Sequence, residues 1–294
     1  MRPLFNVILI FMLVSPCYAF EKSRHELFSN DAIDLYKACK GRVLPQELSD
    51  AFVVGSVEED TWGWTRARNW HYYNRENKIG RYWKVILCNG SNDHIFHVRL
   101  ARLNNLLLTK APERDIYDVA GRLAHHIQDM SSPPHVMPIN HLVCDKMDHY
   151  RFRPASMDPC ENVNVPVVDP PVLLHEAAQY TIKATERPVE FKNGTIENET
   201  WMKFWGGPDD AELSGFKTYG GYGNVFGVRP QCKNGGVCDA YDKDVYDNFY
   251  ADRYRSAVTY TVRLLIYLDQ RMSDYGRRMQ SNVPGKFLSN EGEE

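Results

Sequence analysis

No two cysteines in this chain stand in a Cys-x-x-Cys pair, which argues against thiolate zinc sites and leaves histidine and carboxylate to hold any metal. Charge of one sign is also missing. Lys and Arg number 35 against 38 Asp and Glu, so there is no polycationic face to grip duplex nucleic acid by charge, although a nuclease that holds its substrate through metals stays open. Beyond the N-terminus there is no apolar run long enough to cross about 30 Å of hydrocarbon. Internal repeats and low-complexity tracts are absent as well. What remains is a 294-residue chain, 43% hydrophobic, able to bury a sizeable core in one or two domains.

The first residues, MRPLFNVILIFMLVSPCYA, carry one early Arg, an apolar run from Leu4 to Val14 and small-residue spacing before Phe20. This is the pattern of a signal peptide over 1–19, cut after Ala19, and it predicts a secreted or periplasmic protein. Removal of the leader leaves Cys39, Cys88, Cys144, Cys160, Cys232 and Cys238, an even set that allows up to three disulfides. Local spacing favours Cys232 with Cys238 and Cys144 with Cys160.

Periodicity predicts a mostly helical chain. Ser23 to Lys40 places Leu27, Ala32, Ile33 and Leu35 at near-helical intervals; a second stretch lies within 90–108; Glu113 to Met130 aligns Ile116, Ala120, Leu123 and Ile127. Pro133 and Pro134 should end that third helix. Pro171 to Arg187 and a segment from about Val245 to Gln280 complete the set, with AVTYTVRLLIYL apolar enough for the core. Two segments break the pattern. Residues 41–90 and 188–244 are rich in Gly and aromatics and read as long loops on a single all-α domain spanning 20–294. The second loop's Trp201, Phe204, Trp205, Phe216, Tyr219, Tyr222 and Phe226 suit either membrane contact or ordinary packing.

The stretch LAHHIQDMSSPPHVMPINH, Leu123 to His141, concentrates four histidines and an aspartate in nineteen residues. His125 and Asp129 stand four apart on a predicted helix, so they share a face and can share a metal. His126 falls about 100° away and reads as an exposed or core histidine. His135, past the prolines, should lie on an extended segment folding back over that face, and His141 with Asp145 repeats the His-x-x-x-Asp spacing.

HHIQDMSSPPH resembles the H-x-x-x-D-x-x-x-P-x-H core of the zinc-dependent phospholipase C and S1/P1 nuclease superfamily. The resemblance implies a mainly helical, exported, single-domain enzyme with three zinc ions (Zn2+) in one cleft. It assigns Phe20, through its amine and carbonyl, and His25 to one ion; Phe stands where the family usually has Trp. Asp60, His71, His125 and Asp129 would hold a second, with Asp129 bridging the two, and Glu58 and Glu59 are rival carboxylates to Asp60. His135, His141 and Asp145 would hold the third, with His149 an alternative to His141. Asp60 is also the candidate to orient or deprotonate water.

The substrate expected from the resemblance is a phosphatidylcholine-like phospholipid, with Glu21, Trp62, Trp64 and Tyr72 available to surround a quaternary ammonium. The same aromatics can stack bases, so a single-strand nuclease or 3′-nucleotidase is the alternative, favoured by the Phe20 to His25 spacing. A non-enzymatic secreted protein with a structural zinc cluster is the third reading.

Overall fold

The computed structural model describes residues 22–59, 73, 92–137, 145–191, 194–206, 219–227 and 243–281. Its helices are α1 (Lys22–Lys40), α2 (Gln46–Glu58), α3 (Asn92–Thr109), α4 (Glu113–Asp129), the single turn α5 (Pro133–Val136), α6 (Pro170–Thr185), the short α7 (Met202–Trp205) and the 39-residue α8 (Lys243–Ser281). These form an all-α domain, decorated by one antiparallel hairpin of β1 (Pro188–Phe191) and β2 (Gly194–Thr200).

Helix α4 is the hub. The expected stripe Ile116, Ala120, Leu123 and Ile127 is buried, and from Leu123 to Asp129 every side chain is enclosed, whichever face it stands on. Such all-round burial marks a helix surrounded by others rather than one lying on a surface. It packs against α2, α3 and α8, with α1 and α6 closing the remaining sides. Helix α8 runs beside α1, α4 and α6, and its Ala257, Val258, Val262, Leu265 and Leu268 supply the predicted core segment.

Glycine sets how closely α2 and α4 cross. A Cβ on Gly121 would lie 2.0 Å from the Phe52 carbonyl oxygen, and one on Gly55 would lie 2.1 Å from that of Asp118. Both distances are far inside van der Waals contact, so only glycine permits this approach at either position.

Several expectations are corrected. The buried stripe of α1 is His25, Phe28, Ala32 and Tyr36, whereas Leu27, Ile33 and Leu35 are half-buried. The segment 41–90 begins with a true helix, α2, whose Leu48, Ala51 and Phe52 enter the core. Its run of β-branched residues around Gly55 weakens the helical signature that periodicity relies on. The 188–244 segment includes a hairpin, and its Trp201, Phe204, Trp205 and Phe226 are buried with Tyr246 and Phe249 of α8. Trp201 stacks on Phe249 at 4.1 Å, so these four rings pack inward and are not membrane anchors; Phe216 lies outside the described residues. Cys160 is bonded to Cys39, which rules out its pairing with Cys144. The partners are 121 residues apart, joined because the end of α1 lies against the turn Cys160–Asn162; spacing along the chain carries no trace of that contact. Cys88, Cys144, Cys232 and Cys238 lie outside the described residues. No helix among the described residues is long and apolar enough to cross a membrane.

Candidate metal centre

His25 stands in the second turn of α1, His125 and Asp129 on the last turns of α4, and their side chains meet in the interior. All three are fully buried. One potential ligand atom from each lies within 4.8 Å of the others. His25 Nε2 is 3.5 Å from Asp129 Oδ1, and His125 Nε2 is 3.4 Å from Asp129 Oδ2. Ligands about 2.0–2.1 Å from a tetrahedral zinc are separated by roughly 3.4 Å, so these spacings suit atoms that share an ion. The imidazoles stack with centroids 3.9 Å apart and planes at 26°, presenting their Nε2 atoms to the two oxygens of one carboxylate.

The other ring nitrogens are held from behind. His125 Nδ1 is 2.8 Å from the Ser56 carbonyl oxygen, which can only accept, so Nδ1 carries a proton and in the neutral ring Nε2 keeps its lone pair. His25 Nδ1 is 2.7 Å from Gln128 Oε1. Two imidazoles and a carboxylate, backed by such partners, are a donor set fit for a divalent transition metal when the rings are neutral.

His135 is buried on α5 and does not join this group. It stands in a helical turn with both prolines at its start, where their missing N–H groups cost nothing, and not on an extended segment. Its carbonyl accepts from the Tyr73 N–H at 2.9 Å, so the chain at Tyr73 runs against α5. Asp145, also outside the group, is buried and receives Met147 N–H at 2.8 Å on one oxygen and Trp205 Nε1–H at 3.1 Å on the other. Burial pushes its carboxyl up to about 6, against the opposing pull of Met147, Tyr219 and Trp205. His149 is exposed. Phe20, Glu21, Asp60, Trp62, Trp64, His71, Tyr72 and His141 lie outside the described residues.

Beside the centre runs an ionic cluster. His126 is buried, with Nε2 3.3 Å from Glu59 Oε1; Arg99 donates to that oxygen at 2.8 and 3.0 Å, and Arg122 reaches Glu59 Oε2 at 3.2 Å. Burial would raise the Glu59 carboxyl, yet His126 and Arg99 overcome it and hold the group below the usual carboxylate range. Glu59 is therefore engaged by His126, Arg99 and Arg122, while Glu58 accepts from Arg122 at 2.8 Å on an exposed side chain.

The sequence pattern does not single out Gln128 or Ser56. A Gln inside a buried helix face, between His125 and Asp129, is a weak signal of a supporting acceptor. Ser56 acts through its backbone carbonyl, for which a side-chain pattern offers no signal. Comparison with protein-family models, with curated proteins and with solved structures found no match.

Proposed function

We propose that the protein is an exported zinc-dependent phosphoric diester hydrolase of the phospholipase C type, cleaving phosphatidylcholine-like lipid to diacylglycerol and a phosphorylated head group. The observation that carries this is the meeting of His25 with His125 and Asp129, a hundred residues away in the chain, around one buried carboxylate. Asp129 adds support: each of its oxygens faces one of the two histidines, so the carboxylate would serve the metal alongside both. Zinc supplies a hydroxide near neutral pH and neutralises charge on the phosphoryl oxygens. His25, His125 and Asp129 would hold it, joined by Phe20, Asp60 and His71, with His135, His141 and Asp145 around a third ion. Asp60 would orient the attacking water or take its proton. Glu21, Trp62, Trp64 and Tyr72 would embrace the choline group by charge and cation–π attraction.

The test uses chain beginning at Phe20. Its zinc content is measured, and it is offered phosphatidylcholine vesicles together with single-stranded DNA, before chelation, after it, and after zinc is returned. Phosphocholine and diacylglycerol, lost on chelation and restored by zinc, are expected. Asp129→Asn should lower zinc occupancy and nearly abolish turnover, while His126→Ala should keep its zinc. Mononucleotides as the product would move the centre to the nuclease alternative. Zinc retained without turnover of either substrate would leave a structural cluster and refute the enzyme.

A further inference from the structure

Gln128 touches His25 but is none of the residues so far given a role in holding metal. Its amide is clamped at both ends. Oε1 lies 2.7 Å from His25 Nδ1, and Nε2 donates to Ser29 Oγ at 3.1 Å and to Thr261 Oγ1 at 3.3 Å. Taken alone, an amide can be turned about, so this contact does not say which atom faces the histidine. The hydroxyls decide it. Ser29 Oγ donates to Ser56 Oγ at 2.8 Å, and Ser56 Oγ donates to the Val53 carbonyl at 2.7 Å. Thr261 Oγ1 donates to the Ala257 carbonyl at 2.7 Å. A carbonyl oxygen only accepts, so each hydroxyl proton is directed away from Gln128 and each hydroxyl oxygen is left to accept.

Direction therefore passes from two backbone carbonyls to a histidine. The Gln128 NH2 must face Ser29 and Thr261, its oxygen must face His25, and His25 Nδ1 must carry the proton. In the neutral ring Nε2 is then left with its lone pair toward Asp129. Nε2 stands 3.5 Å from Asp129 Oδ1. Ser29, Ser56, Gln128, Thr261 and His25 are all fully buried, so water does not compete for these positions. Ser56 serves both ligands, His125 through its carbonyl and His25 through its hydroxyl.

We propose that Gln128, oriented by the Ser29–Ser56 and Thr261 hydroxyls, is a positioning residue that locks His25 in its Nδ1–H tautomer and so presents Nε2 as a ready-made metal ligand. The metal half of this statement rests on the reading of the centre given above; the tautomer half does not.

Long-range 1H–15N NMR of the metal-free protein reads the His25 tautomer directly, and zinc titration reads affinity. Wild type is expected to show Nδ1–H. Gln128→Leu should admit the Nε2–H tautomer and lower zinc affinity by about 10–100-fold, the usual cost of losing such a supporting partner. The double variant Ser29→Ala, Thr261→Val, which retains Gln128 but removes its anchors, should move both readouts the same way if Gln128→Leu fails to fold. An Nε2–H tautomer in wild type overturns the proposal without any variant, as does a folded Gln128→Leu with unchanged tautomer and affinity. Wild type that binds no zinc yet shows Nδ1–H defeats the metal reading alone and upholds the relay.

Discussion

Gly121→Ala puts a methyl group where α2 and α4 cross. Its carbon would start 2.0 Å from the Phe52 carbonyl oxygen and 3.0 Å from Ser56 N, while ordinary contact begins at 3.4 Å. Relief requires the helices to part by about 1.4 Å at this point, since both obstacles are backbone. The Ser56 carbonyl, now 2.8 Å from His125 Nδ1, sits on the receding helix, and an opening of that size takes it out of hydrogen-bond range. Overpacking costs about 1–3 kcal/mol. A buried carbonyl and ring N–H left unmatched add about 1–3 kcal/mol. Better helix propensity of alanine returns about 1 kcal/mol. The net expectation is about 1–5 kcal/mol, or roughly 2–10 °C in melting temperature at about 2 °C per kcal/mol for a domain this large. Because His125 also loses its tautomer control, zinc affinity should fall in parallel. Urea denaturation and zinc titration of Gly121→Ala and Gly55→Ala test this, with Gly221→Ala as comparison, since nothing lies within 4 Å of a Cβ there and its backbone is not left-handed. A Gly121→Ala protein of unchanged stability and zinc affinity would refute the claim that the glycine crossing builds the centre.

Three further outcomes are expected. Glu59 is held below its ordinary carboxylate range, so its contribution is complete above about pH 4.3, the usual value in an unfolded chain, and is lost as acid protonates the folded group; Glu59→Gln should flatten that acid limb in pH-dependent denaturation. Asp145 shifts the other way, to about 6, so the metal-free protein should lose about 2–3 kcal/mol as pH rises from about 4 through 6, and Asp145→Asn should remove this slope; an unchanged slope would place the shift elsewhere. Breaking the Cys39–Cys160 bond, which spans 121 residues, should cost about 4–5 kcal/mol by unfolded-chain entropy, read as the difference between oxidised protein and Cys39→Ser, Cys160→Ser.

Local pattern determined a good deal of this molecule by itself. The apolar stripe of α4, the proline that opens α6 and the long apolar segment of α8 are properties of neighbouring residues, and each appears where periodicity and capping put it. The spacing of four between His125 and Asp129 likewise requires nothing beyond helix geometry to place both on one face. Tertiary structure decided the rest. Only the packing of α1 against α4 brings His25 to Asp129, and only the glycine crossing brings the Ser56 carbonyl to His125. The turn of His126 toward Glu59, the Cys39–Cys160 bond and the inward packing of Trp201 and Trp205 depend on partners 48 to 121 residues distant. Sequence spacing reports neighbours one or two helical turns away; contacts between helices arise from close packing of whole surfaces, which no single segment encodes.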